Sequence, residues 1–136
     1  PYAALIMASL IEKETALARE RKTIAGVLVR RLKKVMHLGV DPTVVYGLGK
    51  AYGYRLTRAD LKKKTPYNTY RNYGLPPTPI AMPGLPAIIA ALHPAQGDAM
   101  YYVSRNDGSH KFSKTYKEHL KAVARWQKKK KKVSNG

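Results

Sequence analysis

The sequence predicts an α+β fold: helices packed around a small antiparallel hairpin, with a long Pro- and Tyr-rich loop forming a cleft. Three observations predict it. Ala3 to Thr15 (AALIMASLIEKET) and Ala18 to Lys34 carry apolar residues at helical spacing. Met100 to Ser104 and His110 to Ser113 are short strand-like runs, joined by a turn around Asp107-Gly108. Between helices and hairpin, Thr65 to Pro86 holds six of the nine prolines, so no helix or central strand can run through it.

Projected at about 100° per residue, Ala3, Ile6, Met7, Leu10, Ile11 and Leu17 gather on one side of the first helix. Glu14 falls near the middle of that stripe, and Glu12 points almost the opposite way. A carboxyl group on a core-facing stripe must be paired, hydrogen-bonded or protonated. Glu14 is therefore the candidate for chemistry and Glu12 the candidate for solvation. A helix ending near Glu12 would instead leave Glu14 in a wet last turn.

The second helix turns Ile24, Val27, Leu28 and Leu32 inward. Gly26 within it marks close helix packing rather than a break, and Gly39 closes the segment. Asp41-Pro42-Thr43-Val44-Val45-Tyr46-Gly47 starts a further helix: Asp41 as N-cap, Pro42 at the first helical position, Gly47 or Gly49 as the stop. Gly49 to Arg55 reads as loop or weak hairpin. Thr57-Arg58-Ala59-Asp60 resembles a capping sequence for a short helix through Lys63, with Asp in place of the usual Glu.

In the irregular segment, Tyr67, Tyr70 and Tyr73 offer flat stacking faces, and Asn68, Thr69 and Asn72 offer hydrogen-bonding groups. That is the chemistry a sugar-binding cleft uses, and the prolines preorganise it. Leu85-Pro86 then starts a fully buried short apolar helix, Ala87 to Leu92. After the hairpin, a last amphipathic helix carries Tyr116, Leu120, Val123, Ala124 and Trp126 on its inner face.

At 136 residues the chain forms one domain, residues 1–127, followed by a Lys-rich tail, residues 128–136. There is no cysteine, which excludes disulfides and thiolate chemistry. No apolar run reaches the length of a membrane span. The chain opens at Pro1-Tyr2 without an initiator Met, inside an expected helix, and reads as a piece of a longer protein. Its 26 basic against 8 acidic residues give a net charge of +18, which attracts polyanions such as nucleic acid, anionic lipid or acidic glycan.

His37, His93, His110 and His119 are scattered at no metal-ligand spacing, although His110 and His119 could meet in space. No metal and no cofactor is expected. Gly47-Leu48-Gly49 lacks the context of a phosphate loop, and no nucleophile elbow supports a triad of Ser9, His93 and Asp41. Glycoside hydrolases ordinarily set two carboxylates across the scissile bond. Asp41, Asp60 and Asp107 read as caps or turn residues and Glu12 points away, so a chemistry using one carboxyl group suits this chain better.

ASLIEKETA (Ala8 to Ala16), DPTVVYG (Asp41 to Gly47), TPYNTYRNYGLPP (Thr65 to Pro77), AALHPA (Ala90 to Ala95) and YYVSRNDGSHKFSKTYKEH (Tyr101 to His119) together resemble the endolytic murein transglycosylases, the MltG or YceG-like family. The resemblance covers nearly the whole chain up to the lysine tail. It departs from the family's usual pattern at Gly39-Val40 and at Met82. It implies that Glu14, the second Glu of the E-K-E motif, is the single catalytic acid of a lytic transglycosylase that leaves 1,6-anhydro ends on peptidoglycan. It further implies Tyr67, Asn68, Thr69 and Tyr70, then Asp41, Thr43 and Tyr46, as residues lining the saccharide cleft. The implied partners are glycan strands and peptidoglycan synthases. The implied place is the outer, periplasmic face of the bacterial inner membrane, through an N-terminal anchor upstream of this chain. The competing reading is a basic nucleic-acid-binding module without catalysis, for which charge alone gives non-specific affinity.

Overall fold

A computed structural model describes the backbone of residues 1–135 and the side chains of residues 1–127. The Lys-rich run of the expected tail lies outside the described side chains. The elements are α1 (Tyr2–Glu14), α2 (Ala18–Lys33), α3 (Asp41–Gly47), α4 (Arg58–Leu61), α5 (Leu85–Leu92), β1 (Tyr101–Ser104), β2 (His110–Ser113) and α6 (Tyr116–Asn135). The two strands pair antiparallel, Tyr101 opposite Ser113 and Ser104 opposite His110. Helices around one small hairpin make this an α+β fold. No helix among the described residues is long and apolar enough to cross a membrane.

The core centres on α1, whose residues from Ile6 to Ile11 are all buried, Ser9 included. Over Ile6 to Ile11 the helix is enclosed on every side rather than along one stripe, and it packs on α5, α2 and α3. Ala3, expected inside, is exposed. Leu17 is not part of α1. Thr15 turns extended at φ −148°, its Oγ1 accepts the Leu17 N–H at 3.0 Å, and Leu17 becomes the N-cap of α2. A tight corner, Thr15 to Leu17, therefore follows Glu14 directly.

Two polar groups on α1, buried Ser9 and partly exposed Glu12, moor the proline-rich segment. Ser9 Oγ accepts from Ile80 N at 3.1 Å, and Glu12 Oε1 accepts from Gly84 N at 2.7 Å. Glu12 is thus no merely solvated carboxylate: it satisfies the N–H of the residue that caps α5. That helix begins at Leu85-Pro86, as the sequence reads, but it is only half-buried. Ala87 and Ala90 face the core, while Leu85, Ile89 and Leu92, spaced i, i+4, i+7, are exposed.

Gly26 lies in unbroken helix, as its reading required, but the close neighbour is a loop. A Cβ there would meet the Ala95 carbonyl oxygen at 2.3 Å, and Ala95 N donates to Lys22 O at 2.9 Å. The stop of α2 is not Gly39. Val35 N–H bonds to Leu32 O and Met36 N–H to Arg31 O, a Schellman closure that places Val35 at φ 54°. A β-branched residue is strained there, and Val35 is 69% exposed, so little packing compensates. Val35→Gly is expected to stabilise the domain by about 1 kcal/mol, raising Tm by about 3 °C in a thermal melt.

At α3 the N-cap is Val40 and Asp41 is the first helical residue, its side chain making no cap bond. The capping at α4 is as the sequence reads: Asp60 N donates to Thr57 Oγ1 at 3.1 Å and Thr57 N to Asp60 Oδ2 at 2.9 Å. On α6 the inner positions are Ala122, Val123, His119 and Trp126; Tyr116, Leu120 and Ala124 are exposed. Cross-strand partners share a face, so Tyr102, Ser104, His110 and Phe112 face one way and Tyr101, Val103, Lys111 and Ser113 the other. His110 lies on the first face. His119 stacks on Tyr101, which belongs to the second, at 5.0 Å between centroids. The two histidines therefore do not meet. Among the described residues no group of three His, Asp or Glu side chains could hold a metal ion.

Candidate active site

Glu14 is the last residue of α1, with its backbone held by the helix on one side and the Thr15 corner on the other. Its Oε1 accepts a 2.5 Å hydrogen bond from the hydroxyl of Tyr102 on β1, 88 residues away. Burial raises the Glu14 pKa to about 7, against the opposing pull of the Tyr102 bond; Asp41 raises it further and Arg31 lowers it. A carboxyl group so poised is protonated and deprotonated in comparable amounts near neutrality, and can both give and take a proton.

The neighbours come from four other places in the chain. Arg31, in the last turn of α2, donates from Nε to Met100 O at 2.7 Å and from Nη1 to His37 O at 3.2 Å and Leu38 O at 3.0 Å. These bonds tie the strand approach to the segment before α3 and hold the guanidinium within electrostatic reach of Glu14. Asp41, at the start of α3, accepts a short hydrogen bond from the hydroxyl of Tyr70 on the proline-rich segment. Burial first, then Asp41, raises the Tyr70 pKa, and burial first, then Glu14, raises that of Tyr102; both stay neutral donors. Gly39, at φ 60°, lets the Tyr70 ring approach: a Cβ there would lie 3.1 Å from its Cε1.

The site residues named from the sequence divide in two. Glu14, Asp41 and Tyr70 come together. Tyr46 is 41% exposed, and its ring meets Tyr67 at 4.8 Å. Tyr67 is partly buried and its hydroxyl shares a 2.8 Å bond with Thr78. Asn68, Thr69 and Thr43, by contrast, are at most 1% exposed and do not line a surface. Asn68 Nδ2 donates to Leu61 O and Lys63 O, at 2.9 and 2.8 Å, and its Oδ1 accepts from Tyr70 N at 2.9 Å. Thr69 Oγ1 accepts from Val40 N at 2.8 Å and shares a bond of the same length with Thr43 Oγ1. These three lock the loop that presents Tyr70.

Two members escaped the sequence reading. Arg31 sits in a basic run that looks like a solvated face, and Tyr102 in a strand with nothing to mark it as polar-partnered. The strand alternation would have placed Tyr102 on the side opposite Tyr101 and Val103, but not against Glu14.

Tyr102→Phe keeps the ring, and with it the desolvation, while removing the bond that lowers the Glu14 pKa. That pKa is then expected to rise above about 7, and the alkaline limb of any activity needing protonated Glu14 to move to higher pH, read from a pH–rate profile.

Comparison with known proteins adds four findings. A model of the YceG-like family matches residues 1–125. The chain is 47% identical over 122 residues to an endolytic murein transglycosylase of Bacillus subtilis, covering 90% of this chain and 34% of that protein. It is 35% identical over 126 residues to one of Streptococcus pneumoniae, covering 88% and 23%. A solved yceG-like protein from Listeria monocytogenes superposes with a TM-score of 0.84 at 44% identity, over 89% of this chain and 39% of that one. The chain thus spans about a third or less of the two curated relatives' length. A match over nearly its whole length, in sequence and in backbone, assigns it: the chain belongs to the YceG-like family.

Proposed function

We propose that this chain is the peptidoglycan-cleaving domain of an endolytic lytic transglycosylase, with Glu14 as its single acid and base. The observation that carries the reading is a desolvated carboxyl group with a pKa of about 7, bonded to Tyr102 beside the loop that bears Tyr70. Protonated Glu14 gives its proton to the oxygen between N-acetylmuramic acid and N-acetylglucosamine, and the bond from the muramyl C1 to that oxygen breaks. The muramyl C6 hydroxyl oxygen then bonds to C1, and its proton passes to the Glu14 carboxylate. The product is a 1,6-anhydro end, no water is consumed, and Glu14 is restored.

Asp41, engaged by the Tyr70 hydroxyl, adds negative charge that favours the positive charge building at C1 in the transition state. Tyr70 and Tyr46 supply exposed rings to the sugar. The natural substrate is nascent glycan strands, the partners are peptidoglycan synthases, and the place of work is the outer face of the bacterial cytoplasmic membrane, reached through an anchor upstream of this chain. The sequence similarity to endolytic murein transglycosylases supports the reaction class.

Mass spectrometry of muropeptides released from peptidoglycan tests the reaction. Anhydromuramyl ends are expected. Reducing ends would mean hydrolysis, with Asp41 serving a water molecule, and would overturn the mechanism.

A further inference from the structure

We propose that the buried pair Glu20–His110 is a positioning device: it fixes the ring of Tyr102 so that the tyrosine hydroxyl meets the Glu14 carboxyl group. The proposal rests on the reading of Glu14 given above and assigns roles to two residues outside that site.

Glu20 is in the first turn of α2 and is 7% exposed. Both of its oxygens are committed to one strand residue. Oε1 lies 2.8 Å from His110 Nδ1, and Oε2 accepts from the His110 backbone N–H at 2.9 Å. The two side chains are only 11% and 10% exposed. A buried carboxylate–imidazole pair is a poor way to gain stability, since an apolar pair of similar volume usually does as well. What it supplies is a fixed ring orientation, set by two directional bonds.

The ring so fixed stands edge-on to Tyr102, 5.4 Å between centroids at an interplanar angle of 87°. Phe112 lies on the same hairpin face, 6.0 Å from Tyr102. His110 and Phe112, 6.3 Å apart, form one cluster with Tyr102 and pack against it from the β2 side, which limits how far the tyrosine can swing its hydroxyl towards them. The chain closes the loop: Glu14 and Glu20 flank the same corner, Thr15 to Leu17, which Thr15 Oγ1 pins through Leu17 N at 3.0 Å. One corner thus sends two carboxyl groups to one face of the hairpin, Glu14 to Tyr102 and Glu20 to His110. The charged and titratable groups facing Glu14 are Tyr102 from β1, Arg31 from α2, Asp41 from α3 and Tyr70 from the proline-rich segment. Tyr102 is the one of these in ring contact with His110.

The test is a double-mutant cycle in the full chain between His110→Phe, which keeps a ring and drops the bond to Glu20, and Tyr102→Phe. In the wild-type background His110→Phe is expected to lower kcat about tenfold with KM within about twofold, and to move the alkaline limb of the pH–rate profile upward as Tyr102→Phe does. In the Tyr102→Phe background it is expected to change kcat by less than about twofold and to leave the limb in place. Glu20→Gln, close in shape, is expected to repeat the pattern, and replaces His110→Phe in the cycle if that variant does not fold. Equal losses in both backgrounds, or a lowered Tm with kcat and profile unchanged, would show a merely structural pair and overturn the proposal. Glu14→Gln, run alongside, separates the two readings. If it is inactive while the cycle is additive, only the positioning role falls; if it is active, the assignment of Glu14 falls as well.

Discussion

Glu14→Gln is expected to cost at least about a thousandfold in kcat, because a single group performs both proton transfers and no second carboxyl group replaces it. The same change is expected to stabilise the fold at alkaline pH. The Glu14 pKa is raised from 4.5 to about 7, so the folded state holds a proton that the unfolded chain releases between those values. The stability it allows is fully present below about pH 4.5, falls as pH rises towards 7, and stays low above that. At pH 8 the deficit is about 3 kcal/mol, and Gln, which never ionises and still accepts from Tyr102, removes most of it. Thermal melts of wild type and variant should therefore nearly coincide at pH 4 and separate at pH 8, the variant melting higher. An inactive protein that is more stable only at high pH is the signature of a strained acid. An inactive protein destabilised at both pH values would instead mean that Glu14 holds the fold.

Arg31→Met carries the second large effect, and on a different quantity. The guanidinium gives charged hydrogen bonds to three carbonyls, those of His37, Leu38 and Met100. Methionine matches the length of the side chain and none of the bonds. A loss of about 3 kcal/mol is expected, lowering Tm by about 10 °C. Lysine is expected to recover little, since one ammonium cannot reach the fork of acceptors that the planar guanidinium spans. Removing the positive charge also lets the Glu14 pKa rise further, so the activity that survives should have its alkaline limb at higher pH. Lys33→Met, exposed on the same turn, serves as control and should shift stability by less than about 0.5 kcal/mol.

Most of the architecture was readable because it is written locally. The helix spacing of Ala18 to Lys34, the Thr57–Asp60 capping pair and the Asp107-Gly108 turn are each decided within a few residues, and each appears where the pattern puts it. Glu14 was legible for a related reason: a carboxyl group beside Leu10 and Ile11 has few inexpensive explanations. What the sequence hid was decided at long range. Nothing near Arg30 and Arg31 says that their guanidinium groups brace residues 95–100 through backbone carbonyls rather than meeting water or a polyanion. Asn68 and Thr69 have the composition of a sugar site, yet their polar groups are consumed in fixing their own loop. Asp41 read as a cap because caps are local; its partner, the Tyr70 hydroxyl, is 29 residues away. Likewise the α5 stripe of Leu85, Ile89 and Leu92 reads as core by hydropathy alone, and only the packing of α1 against Ala87 and Ala90 shows which side is inside.

The most direct measurement follows the titration of Glu14 itself, by NMR of the folded protein labelled at the glutamate side-chain carboxyl carbons, with Glu14→Gln supplying the assignment. A midpoint near pH 7 is expected, moving upward in Tyr102→Phe. A midpoint near the ordinary 4.5, unmoved by that substitution, would contradict the account, for an acid ionised that early has no proton to give a glycosidic oxygen at neutral pH.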